Sequence, residues 1–161
     1  HPRVRRQRQM CIRDRDVMNI VCELLFLTVL FGAAVSDWNE KKIPDRYPAL
    51  LLITGLLAVF TDTWQQMSLL QAVSGAVSSA FPLFLSALLV KGAFGGGDIK
   101  LMAAAGFCLG TSRGILGLFL GLLAGGIYGL AMTAVKKRKK KETIPLGPFL
   151  ALGLAAASML P

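Results

Sequence analysis

Asp98 follows three glycines, Gly95-Gly96-Gly97, and opens an apolar segment through Ile99-Lys100-Leu101. An ionisable group at the mouth of such a segment is costly to place in a membrane and marks a candidate functional site. The glycines remove side chains in front of it, so another backbone or a substrate can come close. A second acid, Asp37, stands in Ser36-Asp37-Trp38-Asn39-Glu40-Lys41-Lys42-Ile43-Pro44-Asp45, where Ile43-Pro44 breaks the chain. Two carboxylates that share a site cannot both ionise cheaply, so one keeps its proton. The ionised one takes a proton from water while the protonated one polarises a peptide carbonyl. Such a pair needs neither metal nor histidine, and its titration belongs to both acids together.

The rest of the composition narrows the chemistry toward those acids. Of 161 residues, 54% are hydrophobic and 17% charged, with mean hydropathy +0.59. That is too apolar for a soluble domain, and the apolar residues come in long runs, so the fold class is all-α and polytopic in a membrane. The three cysteines, Cys11, Cys22 and Cys108, form no CxxC pair and no metal-ligand spacing. The one histidine, His1, lies at the extreme terminus, so no metal site is expected and serine- or cysteine-histidine catalysis lacks its base. No cofactor is expected.

Six apolar stretches must position the acids: about Met18 to Val35, Tyr47 to Phe60, Leu69 to Val90, Ile99 to Leu109, Ile115 to Val135 and Ile144 to Leu160. A crossing needs about 20 apolar residues, so the second and fourth are short. In the fifth, Gly117, Gly121, Gly125 and Gly129 line one helix face and invite close packing by a neighbour. Residues 1–16 read as a basic arm, non-native or disordered, with Met18 as the expected start; residues 17–161 read as one six-helix transmembrane domain. The arm is not read as a nucleic-acid site, and no nucleic-acid partner is expected.

Basic residues set the orientation. With the first span running outward to inward, the inside loops hold eleven: Lys41, Lys42, Arg46, Lys91, Lys100 and the run Lys136, Lys137, Arg138, Lys139, Lys140, Lys141. The outside loops hold Arg113 alone. Asp37 and Asp98 then share the cytoplasmic side. The run Lys136–Lys141 fixes topology and is expected to meet anionic lipid headgroups. Glu23 stands about 14 residues before Asp37, roughly 21 Å along a helix, and belongs to the far interface. Asp62 and Trp64 fall in an external loop, and Glu40 reads as a solvated charge beside Lys41 and Lys42.

Asp37 with Ile43-Pro44-Asp45, then Gly95-Gly96-Gly97-Asp98-Ile99-Lys100-Leu101, resembles the two catalytic motifs of the type IV prepilin peptidases, intramembrane aspartyl proteases of the GxGD kind. A third stretch, Ile144-Pro145-Leu146-Gly147-Pro148-Phe149-Leu150, resembles that family's IPFGPFL-like segment. The resemblance covers the chain from about Met18, with the motifs in family order. It implies six transmembrane helices, a multi-pass protein of a bacterial or archaeal cytoplasmic membrane, and Asp37 and Asp98 as the catalytic pair facing the cytoplasm. Gly95, Gly97, Lys100, Pro44, Asp45 and Pro145 are carried over as residues that shape the site. The implied substrate is a pilin-like precursor, cut between a short basic leader and a hydrophobic helix.

Asp45 stands where the pattern often has Asn, and Leu146 where Phe is common. Asp45 thereby adds a third acid near the pair. Nothing here matches the CxxC-bearing loop that larger members associate with methylation, so the resemblance is to the short, peptidase-only form found with Flp/Tad-type pili. A presenilin-type protease is disfavoured, since no PAL motif is present. Two other readings use the same residues differently. A small proton- or cation-coupled transporter would place its acids near the midplane, and a non-catalytic membrane scaffold would not need them.

Overall fold

The computed structural model describes residues 2–61, 67–90, 94–135 and 145–160, with side chains described from 17 to 134 within those ranges and from 145 to 160. The polybasic run 136–141, the loop residues Asp62 and Trp64, Lys91 and the side chains of the basic arm lie outside the described residues. Among the described residues five helices follow in order: α1 (Pro2–Glu40), α2 (Arg46–Phe60), α3 (Leu69–Leu89), α4 (Gly96–Val135) and α5 (Gly147–Met159). No strand occurs among the described residues. Among the described residues three runs are long and apolar enough to cross a membrane: Val17–Glu40, Leu69–Leu89 and Gly96–Ala134. Helices α2 and α5 are shorter, with 15 and 13 residues. The protein is an all-α, polytopic membrane protein.

Helix α4 is two limbs. Gly110 adopts φ 75° and ψ −178°, a combination open essentially to glycine alone. A Cβ built on Gly114 would lie 3.3 Å from the Cα of Gly106. In a straight helix those positions are about 12 Å apart, so the chain doubles back at Gly110. The sequence reading of separate fourth and fifth spans is thereby met, with one glycine as the turn. Six helical segments result among the described residues.

Helix α3 seats itself in the fork of that hairpin. It starts with a capping box, in which the Gln71 N–H donates to Ser68 Oγ (3.3 Å) and the Ser68 N–H to Gln71 Oε1 (3.1 Å). Its Gly75 lies against the carbonyl oxygen of Gly106 and the backbone of Gly110, and its fully buried Ser79 against Gly106 and Gly114. Without side chains at these positions, backbones approach closely where apolar burial gives helices no drive to associate in lipid. Gly75→Val puts carbon where the Gly106 carbonyl and the Gly110 Cα (2.7 Å) now stand. We expect that variant to lose about 2 kcal/mol or more of stability, read as a lower unfolding temperature of detergent-purified protein.

The glycine face of the second limb packs on α5. A Cβ on Gly117 would meet Leu154 and Ala157, one on Gly121 would meet Phe149 and Leu150, and one on Gly125 would meet Leu146 and Phe149. Tyr128 and Phe149 stack at 5.0 Å and 37° beside that seam. Helix α4 thus packs against α2, α3 and α5, while α1 packs against α2 and α5. Phe26, Leu30, Leu51, Leu83, Leu101, Met102, Leu150 and Leu154 fill the centre. Large apolar side chains such as Phe31, Phe60, Leu70, Leu89 and Leu130 point outward instead, the arrangement expected where the surroundings are lipid. Thr28, Thr54, Ser86 and Thr133 return their hydroxyls to carbonyls four residues back, which satisfies them without water.

Candidate active site

One end of the bundle gathers the C-terminus of α1, the loop 41–45, the first turn of α4 and the start of α5. Gly110 and the α3 cap lie at the other end, because α3 and the first limb of α4 run antiparallel. Asp37 stands in the last turn of α1, and its carbonyl accepts from the Lys41 N–H (2.9 Å). Lys41 itself takes φ 52°, a left-handed conformation that a non-glycine residue adopts at a cost. This kink turns the chain across the bundle end toward α2. Ile43, buried, then backs onto Gly97: a Cβ on that glycine would lie 3.0 Å from the Ile43 Cβ and 3.2 Å from its carbonyl oxygen. Gly97 is needed because another backbone comes this close.

The Asp98 N–H donates to the Gly95 carbonyl (3.1 Å), and the Gly95 N–H returns a long bond to Asp98 Oδ2 (3.3 Å). This tight turn points the carboxylate into a cleft of about 670 Å³, lined by Asp37, Pro44, Asp45, Gly95 to Asp98 and residues 40–43. Asp37 and Asp98 are only 6% and 9% exposed, yet each lines that cleft. The other oxygen of Asp98, Oδ1, is buried with no hydrogen-bond partner among the described residues. An orphaned carboxylate oxygen costs free energy unless something else meets it, and here it belongs to a group lining a cleft.

Asp37 is held from a third direction. The Gly147 N–H donates to Asp37 Oδ2 at 2.8 Å. Gly147 begins α5, where the first N–H groups lack partners within the helix and the helix dipole attracts a carboxylate. A Cβ on Gly147 would lie 2.7 Å from that oxygen, so only glycine lets the two helix ends meet. Pro145, the residue of this segment expected from the family resemblance to shape the site, stands before α5 and does not line the cleft. The signal for Gly147 was a glycine at a helix start, where neither a turn nor a helix stop demands one.

The predicted set is largely assembled. Asp37, Pro44, Asp45, Gly95, Gly97 and Asp98 line one cleft. Lys100 joins at its rim, with its ammonium 2.8 and 2.9 Å from the two carboxylate oxygens of Asp45. Glu40, read from sequence as a solvated loop charge, is exposed but also lines the cleft. No three His, Cys, Asp or Glu gather around a metal-sized space among the described residues.

The chain is 31% identical over 135 residues to the prepilin leader peptidase/N-methyltransferase of Bacillus subtilis, covering 81% of this chain and 52% of that protein. It is 32% identical over 134 residues to the protein of the same name from Aeromonas salmonicida, covering 80% and 45%. Against that from Escherichia coli K12 the figures are 35% over 141 residues, 83% and 61%. The chain therefore spans about half the length of the curated relatives it matches. No solved structure matches it. Residues 24–130 match the family model of the type IV leader peptidases, a stretch holding both aspartates and the glycine turn, and the chain belongs to the type IV leader peptidase family.

Proposed function

We propose that this protein is an intramembrane aspartic endopeptidase that removes the basic leader from type IV pilin-like precursors at the cytoplasmic face of the membrane, with Asp37 and Asp98 as its catalytic pair. The observation that carries this reading is the meeting of two buried carboxylates, from the first and fourth helices, in one cleft at one end of the bundle. A water between them gives its proton to the ionised acid and attacks the scissile carbonyl, which the protonated acid polarises. The two then exchange protons as the amine leaves. Gly95, where a Cβ would stand 3.3 Å from Asp98 Oδ2, leaves that carboxylate uncovered for a substrate, Gly97 lets Ile43 back the cleft, and the Gly147 N–H orients Asp37. The basic residues of loop 41–45 and of Lys100 stand at this end of the bundle, which supports the cytoplasmic side. The names of the relatives, prepilin leader peptidases, support a prepilin as substrate.

A proton- or cation-coupled transporter fits less well, since its acids belong near the midplane and these lie at a helix end. The test uses purified protein in liposomes with a synthetic precursor, a basic leader joined to a hydrophobic helix. Mass spectrometry is expected to show one cut at the junction. Intact precursor with every such substrate, together with acid-dependent ion flux across the liposomes, would replace the peptidase reading with the transporter.

A further inference from the structure

Asp45 has a choice of partners and takes the distant one. It occupies the cap position of α2, where an aspartate ordinarily accepts a hydrogen bond from its own helix. Its side chain makes no cap bond. Instead both carboxylate oxygens accept from the Lys100 ammonium, 55 residues away, at 2.8 and 2.9 Å. Lys100 lies two residues beyond Asp98 on the first turns of α4. Asp45 ends the loop that begins, four residues after Asp37, with the left-handed Lys41. The ion pair therefore ties the start of α2, where the loop that follows the Asp37 helix ends, to the helix that opens with Asp98.

The loop between them touches α4 at a second place, where Ile43 backs Gly97. That contact is a buried one, with Ile43 8% exposed. The Asp45–Lys100 pair is at the rim, with side chains 74% and 56% exposed. A charge pair so open to water is weak in stability terms, which suits a tie that must yield rather than one that must hold the fold together.

Resting on the peptidase reading, the geometry points to Asp45 and Lys100 as a positioning pair: an electrostatic strap that closes loop 41–45 over the cleft and sets the spacing of Asp37 and Asp98. Neither side chain touches the reacting atoms. Their effect passes through the loop to the two aspartates, so it belongs in turnover rather than in substrate binding.

The experiment compares wild type, D45N, K100M and the exchanged pair D45K/K100D in liposomes, with the same precursor. Each single variant is expected to lower kcat about threefold to fivefold, the scale that an exposed pair can supply, with KM within twofold. The exchanged pair is expected to recover kcat to within about twofold of wild type. An unchanged kcat in either single variant would overturn the strap, as would an exchanged pair no better than the singles. A rise in KM confined to D45N, growing with the number of basic residues in the leader, would overturn it too and make Asp45 a leader-binding residue.

A second readout needs no activity. A cysteine placed at Lys42, exposed on the same loop, is labelled with a membrane-impermeant maleimide in inverted vesicles. Faster labelling in the D45N and K100M backgrounds than in the parent supports the strap, and equal rates overturn it. If wild type cleaves no precursor, the peptidase reading fails while this measurement still decides the strap.

Discussion

Asp98→Asn is expected to lower leader removal about 10³-fold or more while leaving the amount of protein in the membrane unchanged. Asparagine keeps the shape of the side chain and still accepts the Gly95 N–H, so the turn that presents it survives. What it lacks is the ability to gain and lose a proton, and positioned acid–base groups contribute about 10² to 10⁴ in rate. A pair that works as one unit loses nearly everything when either member is removed. The measurement is the initial rate of mature pilin formation at equal enzyme, with quantitative immunoblotting of the membrane fraction. The orphaned Oδ1 of Asp98 adds a second expectation. The variant should unfold at the same temperature as wild type or higher, because the amide carries no charge into the buried site.

Gly147→Val is expected to come next in size, with a loss of about 10²-fold in cleavage. The added carbon would stand 2.7 to 2.9 Å from the Oδ2, Cβ and Cγ atoms of Asp37, so the carboxylate must turn away or α5 must retreat. Either movement breaks the 2.8 Å bond from the Gly147 N–H and spoils the alignment on which the reaction depends; a displacement of about 1 Å at a reacting group is worth about 10² in rate. Gly147→Ala should fall between wild type and Val, and the ranking Gly, Ala, Val in rates on one precursor checks the steric account. Equal rates for all three would show that α5 does not hold Asp37.

Much of this arrangement was legible from residue types and order. Long apolar runs located all six helical segments, and the parity of spans between Asp37 and Asp98 brought both to one side. The fourfold glycine period at Gly117, Gly121 and Gly125 announced a close neighbour, and the structure supplies α5. The contacts that were missed are those between positions far apart in sequence. Nothing local in Gly147 says that its N–H will meet a carboxylate 110 residues earlier. Asp45 and Lys100 were each singled out, but their pairing depends on how α2 docks on α4, which periodicity does not encode. The break between Leu109 and Ile115 was legible from the polar residues Thr111, Ser112 and Arg113, but not that Gly110 alone would make the turn, with helix resuming directly after it.

The measurement that bears most directly on the two-aspartate site sets wild type beside Asp37→Asn, Asp98→Asn and the double variant. All four are co-expressed with one pilin precursor and scored for the mature form by the mass of its new N-terminus. The account predicts mature pilin with wild type alone, and a double variant no slower than either single one. Mature pilin at the wild-type level with either single variant would contradict it.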